Sequence, residues 1–173
     1  SDISRVVFKR LFVQSSYRVR SEQRLLIALS NALFSEASLP DMLECFVHQY
    51  RTSVFLINRS GICLGAAYAS GSEIRAEDRF RPFQLPSTGE TVSLSCGGRQ
   101  HPFFCVALRG GYGGLFFLED PAHPLRGELT ALQHASLLIS LKLEQNRLQR
   151  LSSSEQENGF LSLLTDSAEH LAD

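Results

Sequence analysis

The sequence contains no long hydrophobic run. Nothing in it approaches the roughly 18 consecutive apolar residues that read as a membrane-spanning helix, so no membrane contact is expected. An excess of one charge is missing too. The 17 Lys and Arg stand against 18 Asp and Glu, a net charge of −1, which gives no bulk attraction to DNA or to an anionic membrane. The opening residues SDISRVVFKRLF alternate charge and hydrophobe too closely for a signal peptide, and a cytoplasmic location is expected. Internal repeats and low-complexity tracts are absent. So are the Gly-x-Ser-x-Gly elbow and the His-Glu-x-x-His zinc motif, which removes two common routes to hydrolysis. Cysteine is limited to Cys45, Cys63, Cys96 and Cys105. The even count permits pairing, but without an export signal the thiols are expected to stay reduced.

What is present is an ordinary globular composition, 43% hydrophobic and 20% charged over 173 residues. That is enough chain for one domain with a sizeable core and helical extensions. Hydrophobic spacing predicts a long helix over 2–34, with one apolar stripe at Ile3, Val6, Val7, Phe8, Leu11 and Phe12 and a second at Leu25, Leu26, Leu29, Leu33 and Phe34. The polar middle, QSSYRVRSEQR, suits a helix that bridges units or pairs with a partner. SLPDMLECFVHQY starts a second helix, with Pro40 and Asp41 in its first turn. The period then changes to that of strands. A hairpin is expected at 53–57 and 62–67, turned by NRSG, followed by strands at FQLP, TVSLS, PFFCVAL and GLFFLE. A further helix is expected from about Leu125 to Leu151. SSSEQENG then breaks the pattern, and a short amphipathic helix follows over 160–173, led by Phe160, Leu161, Leu163 and Leu164.

The stretch RGGYGGLFFLED, residues 109–120, allows two readings. A phosphate-binding loop of the Walker type needs Lys and Ser or Thr after its last glycine, where this chain has Leu115 and Phe116. A dinucleotide loop needs a third glycine at 116 and a helix after it, and here there is a phenylalanine in a strand. GGYGG is therefore expected to be the turn of a hairpin, its glycines supplying positive φ.

Metal-ligating residues occur in two places. Cys45 and His48 fit one helical face, and Cys96, His101 and Cys105 form a Cys-x4-His-x3-Cys run. Zinc sites use tighter paired spacings, and Cys105 lies in an apolar strand where a thiol is a small hydrophobe, so no metal and no cofactor is expected. His48 and His134 fall in helices; His101 and His123 precede prolines in predicted loops; none sits in a nucleophilic signature. Arg75, Arg79, Arg81 and Arg99 are more suggestive, because the guanidinium fork matches carboxylate or phosphate, and Tyr68, Phe80 and Phe83 can wall a small ligand. A solvated loop is the competing reading. The candidate ligand-binding residues are Tyr68, Arg75, Arg79 and Phe83, around a cavity between the sheet and the 68–82 connection.

In element order the chain resembles a GAF-like, PAS-related sensory domain. SEQRLLIALSNALFSEASLPDMLECFVHQYRTSVFLINRSGICLGAA is similar to the central part of PucR-type bacterial transcriptional regulators. GGYGGLFFLED with ELTALQHASLLISLKLEQNRLQR is similar to that family's closing strand and long helix, and NGFLSLLTD to the segment leading into its next domain. The resemblance covers about residues 1–165. It implies an α+β fold with a GAF-like antiparallel sheet of about five to six strands and long N- and C-terminal helices packed on one face. It also implies a linker or dimerisation helix at 1–34, a sensory domain at 35–151 and a linker helix at 152–173. Residues 1–20 would be the tail of a preceding region, and DNA would be bound only through a helix-turn-helix domain beyond residue 173. The expected function is a non-enzymatic, small-molecule-sensing and dimerising regulatory domain. Its partners would be an unknown metabolite effector and a second copy. The heptad-like seam of helix 125–151 places Leu132, Ile139 and Leu143 at the dimer interface. Two alternatives stand beside it: a small GAF-fold thiol enzyme using Cys63, Cys96 or Cys105, and a degenerate domain that only dimerises.

Overall fold

A computed structural model describes the backbone of residues 2–172 and the side chains of these except 2, 8, 10–18, 156–157, 160–162 and 165–172. The elements run α1 (Asp2–Phe34), α2 (Leu39–Tyr50), β1 (Val54–Ile57), β2 (Cys63–Ala67), β3 (Thr91–Cys96), β4 (Arg99–Ala107), β5 (Gly114–Leu118) and α3 (Leu129–Ala172). By contact they form two compact units, 1–140 and 141–173.

The short helix α2 shows how local chemistry sets its ends. The Ser38 hydroxyl accepts the Asp41 N–H at 3.3 Å, satisfying one of the donors that a helix start leaves open. Pro40 occupies the first turn, where no amide is needed. At the other end Arg51 turns left-handed (φ 57°) and donates its N–H to the Val47 carbonyl. Met42, Leu43 and Phe46 are then buried on one face.

The five strands make one antiparallel sheet in the order β2-β1-β5-β4-β3. Successive side chains alternate between its faces. Phe117 faces α2, with its ring centroid 5.4 Å from that of Phe46 and 6.3 Å from that of Tyr50. Phe116, one residue earlier, points to the opposite face and meets Phe83 at 5.8 Å. Helices thus lie alongside an antiparallel sheet in an α+β fold, as expected.

Both hairpin turns form where turn residues were read. Between β1 and β2, the Asn58 side chain accepts the N–H groups of Ser60 and Ile62, and Gly61 takes φ 84°. Between β4 and β5, Gly110, Gly111 and Gly113 all have positive φ, and Leu108 N–H donates to the Gly113 carbonyl at 2.8 Å. A Cβ on Gly113 would collide with the Ile57 carbonyl oxygen, so the turn seats directly on the end of β1.

Three expectations are corrected. FQLP is not a strand: residues 83–86 are irregular, because Pro82 and Pro86 remove two amides and Phe83 packs inward instead of pairing. His101 lies within β4 rather than in a loop. The break at 152–159 does not occur, and α3 is one 44-residue helix. Ser, Glu, Gln and Asn cost little in a helix, no proline interrupts them, and the single Gly159 costs about 1 kcal/mol, too little to end it. Phe160 and Leu161, expected to lead the last helix, have side chains outside the described residues.

Candidate ligand-binding face

The connection 68–90, between β2 and β3, covers the sheet face opposite α2. Phe55, Ile57, Cys96, Phe103, Cys105 and Phe116 project from the strands and are buried, and Phe80 of the connection is buried among them. The Phe55 ring lies 5.1 Å from Phe103, 6.0 Å from Tyr68 and 6.3 Å from Phe80. The centre of this face is therefore filled by the protein's own aromatic rings.

Backbone bonds hold the connection down. Phe80 N–H donates to the Gly61 carbonyl at 2.8 Å, Cys63 N–H to the Asp78 carbonyl at 3.0 Å, and Gly89 N–H to the Cys105 carbonyl at 2.8 Å. Ser53, fully buried at the start of β1, accepts Ala69 N–H at 2.9 Å and meets the Ser72 hydroxyl at 3.3 Å. These bonds satisfy buried polar groups that would otherwise be costly.

The four predicted ligand residues separate. Tyr68 is half-buried against the aromatic cluster, and its hydroxyl accepts Ala76 N–H at 3.1 Å. Arg75 stacks on it, with Cζ 4.5 Å from the ring centroid, while Nη1 donates to the carbonyls of Ser72 at 2.9 Å and Ile74 at 3.1 Å. Phe83 is half-buried against Phe116. Arg79 is exposed and bridges to Ile62 beside the β1–β2 turn. Of the four, Arg75 lines a cavity of about 370 Å³ shared with Glu73, Ile74, Cys96, Arg99 and His101. A larger open groove of about 680 Å³ adjoins it, with Glu73, Ile74 and His101 common to both. Sequence reasoning named Arg99 in the arginine cluster but kept it, with Glu73 and His101, out of the candidate site. The signal was strand alternation: 99 and 101 share parity with Phe103, which places all three on one face.

The thiols are all shifted away from reactivity. Burial, then Glu77 and Cys63, pushes Cys96 up to about 11. Burial, then Glu90, pushes Cys105 up to about 12. Cys45 and Cys63 are raised as well, again chiefly by burial. Among the described residues no group of three or more His, Cys, Asp or Glu could hold a metal. The Cys96, His101 and Cys105 run does not converge.

Of the seam residues, Leu132 and Ile139 are fully buried within unit 1–140. Within unit 141–173, Leu141, Leu148 and Leu151 remain open, the first two each 54% exposed. Among the described residues no helix is long and apolar enough to cross a membrane. No family model matches the chain, and no curated protein matches it.

Proposed function

We propose that the chain is the small-molecule-sensing and dimerising regulatory domain of a bacterial transcriptional regulator of the PucR type, with DNA bound through a domain outside this sequence. One observation carries the reading. One sheet face is packed by helices, while the other lies under a long connection whose outer end opens into two adjoining grooves. That division suits a domain in which a ligand acts on one face and assembly on the other. The thiol-enzyme alternative fares worse, because a nucleophilic cysteine needs a lowered pKa and all four cysteines here are raised.

The dimer-only alternative is supported by a different observation, the aromatic rings that fill the centre of the covered face. A thermal-shift screen with neutral, cationic and anionic metabolites separates the two. A true effector at 100 times its Kd stabilises the fold by about 2.7 kcal/mol, whereas a domain that only dimerises shows no saturable shift. For assembly, the open positions Leu141 and Leu148 fall seven residues apart on one helical stripe. Light scattering of the intact chain at tens of micromolar should give a dimer mass, and the Leu141→Glu, Leu148→Glu double variant a monomer mass. A monomer before substitution rejects the dimer.

A further inference from the structure

The aromatic filling stops at Phe103, but β4 continues outward on the same face through His101 and Arg99. Arg75 reaches that end from the connection, and its guanidinium is already oriented by two backbone carbonyls on Nη1 and by the Tyr68 ring beneath it. A fork fixed in this way loses less freedom on forming a paired hydrogen bond than a solvated one does. Two guanidiniums and one imidazole meet a single acidic side chain, Glu73, around the cavity of about 370 Å³. Counting the arginines and the carboxylate alone, the lining carries one net positive charge. That balance matches a monoanionic carboxylate head better than a doubly charged phosphate. The adjoining groove shares Glu73, Ile74 and His101, is also lined by Arg51, Glu119 and Asp120, and has room for the rest of the molecule.

We propose that this outer cavity is the effector site and that it binds a small carboxylate through Arg75 and Arg99, with His101 as a further donor. The inference rests on the sensory reading above and names the ligand class and the residues. Isotope-labelled intact protein, titrated with sodium benzoate, sodium succinate and inorganic phosphate at constant ionic strength up to about 10 mM, tests it by amide shifts. A carboxylate should move the amides of 73–75 and 97–101 saturably. Arg75→Gln and Arg99→Gln should each weaken binding about tenfold, the loss of one charge-assisted hydrogen bond. Arg79→Gln, lying by the β1–β2 turn, should leave it unchanged. The proposal is overturned if no carboxylate moves these amides, if phosphate binds as tightly, or if the arginine substitutions have no effect. A neutral or cationic metabolite that stabilises the chain without moving them overturns the carboxylate site and leaves the sensory reading standing.

Discussion

Removing the Phe80 ring tests whether the covered face is a packed plug. Phe→Ala changes in cores cost about 3–5 kcal/mol, and the position within that range depends on how far the site can collapse. Phe80 is 3% exposed and lies 6.3 Å from Phe55, with the two rings inclined by only 30°. Collapse is blocked from above. The Phe80 amide is held by Gly61, and Gly61 approaches so closely that a Cβ there would lie 2.6 Å from the Phe80 carbonyl oxygen. The chain cannot sink into the hole, which places Phe80→Ala in the upper half, about 4–5 kcal/mol. Phe83→Ala is the internal comparison. Its ring is half-buried on Phe116, so part of its surface is already in water and the loss should be about half as large. Urea unfolding of the two variants measures both. In a fold near the middle of the ordinary range, about 10 kcal/mol, both variants stay folded enough to measure. A loss below about 1 kcal/mol for Phe80→Ala, or one no larger than that of Phe83→Ala, would refute the packed plug.

Two further outcomes follow from the same geometry. Gly113→Ala combines positive φ with a collision at Ile57 and should cost about 2–5 kcal/mol, whereas Gly111→Ala shares the positive φ but meets only the Arg59 side chain at 4.0 Å and should cost only about 1 kcal/mol; equal losses in urea unfolding would mean that the turn does not seat on β1. Cys96 and Cys105, raised from 9.0 to about 11 and 12, stay neutral in the folded chain while the unfolded chain ionises first, so their contribution to stability is complete below pH 9 and is lost as pH rises through 11 to 12. Iodoacetamide at about pH 8 should therefore label the native chain far more slowly than the unfolded one, and matching rates would contradict burial of these thiols.

Much of the fold was legible because its signals are local. Helix 2–34, the NRSG turn and the glycine turn each rest on spacing or on residues that only one backbone shape accepts. FQLP misled because Phe83 and Leu85 alternate as in a strand, yet the flanking prolines remove the pairing donors and Phe83 finds Phe116 instead. The polar stretch at 152–159 misled in the opposite direction, since polarity marks exposure and not the end of a helix. The seam at 132, 139 and 143 was a sound apolar stripe, but a stripe cannot say whether its own chain or another covers it. The candidate site was legible only in part. The arginine cluster lies on the connection that covers one sheet face, but Arg75 and Arg79 differ only in what tertiary packing puts beside them, the Tyr68 ring for one and the β1–β2 turn for the other.

The alternation of side chains across the sheet carries a consequence for how such a chain can change over generations. Val54, Leu56, Phe104 and Phe117 serve one face, and Phe55, Phe103, Cys105 and Phe116 serve the other. β1, β4 and β5 therefore each hold two interleaved alphabets, one spelling the helix-side face and one spelling the covered face. A substitution at one parity leaves the other parity's neighbours in place. Drift in the side chains of the covered face can proceed one strand position at a time, without renegotiating how the helices are held.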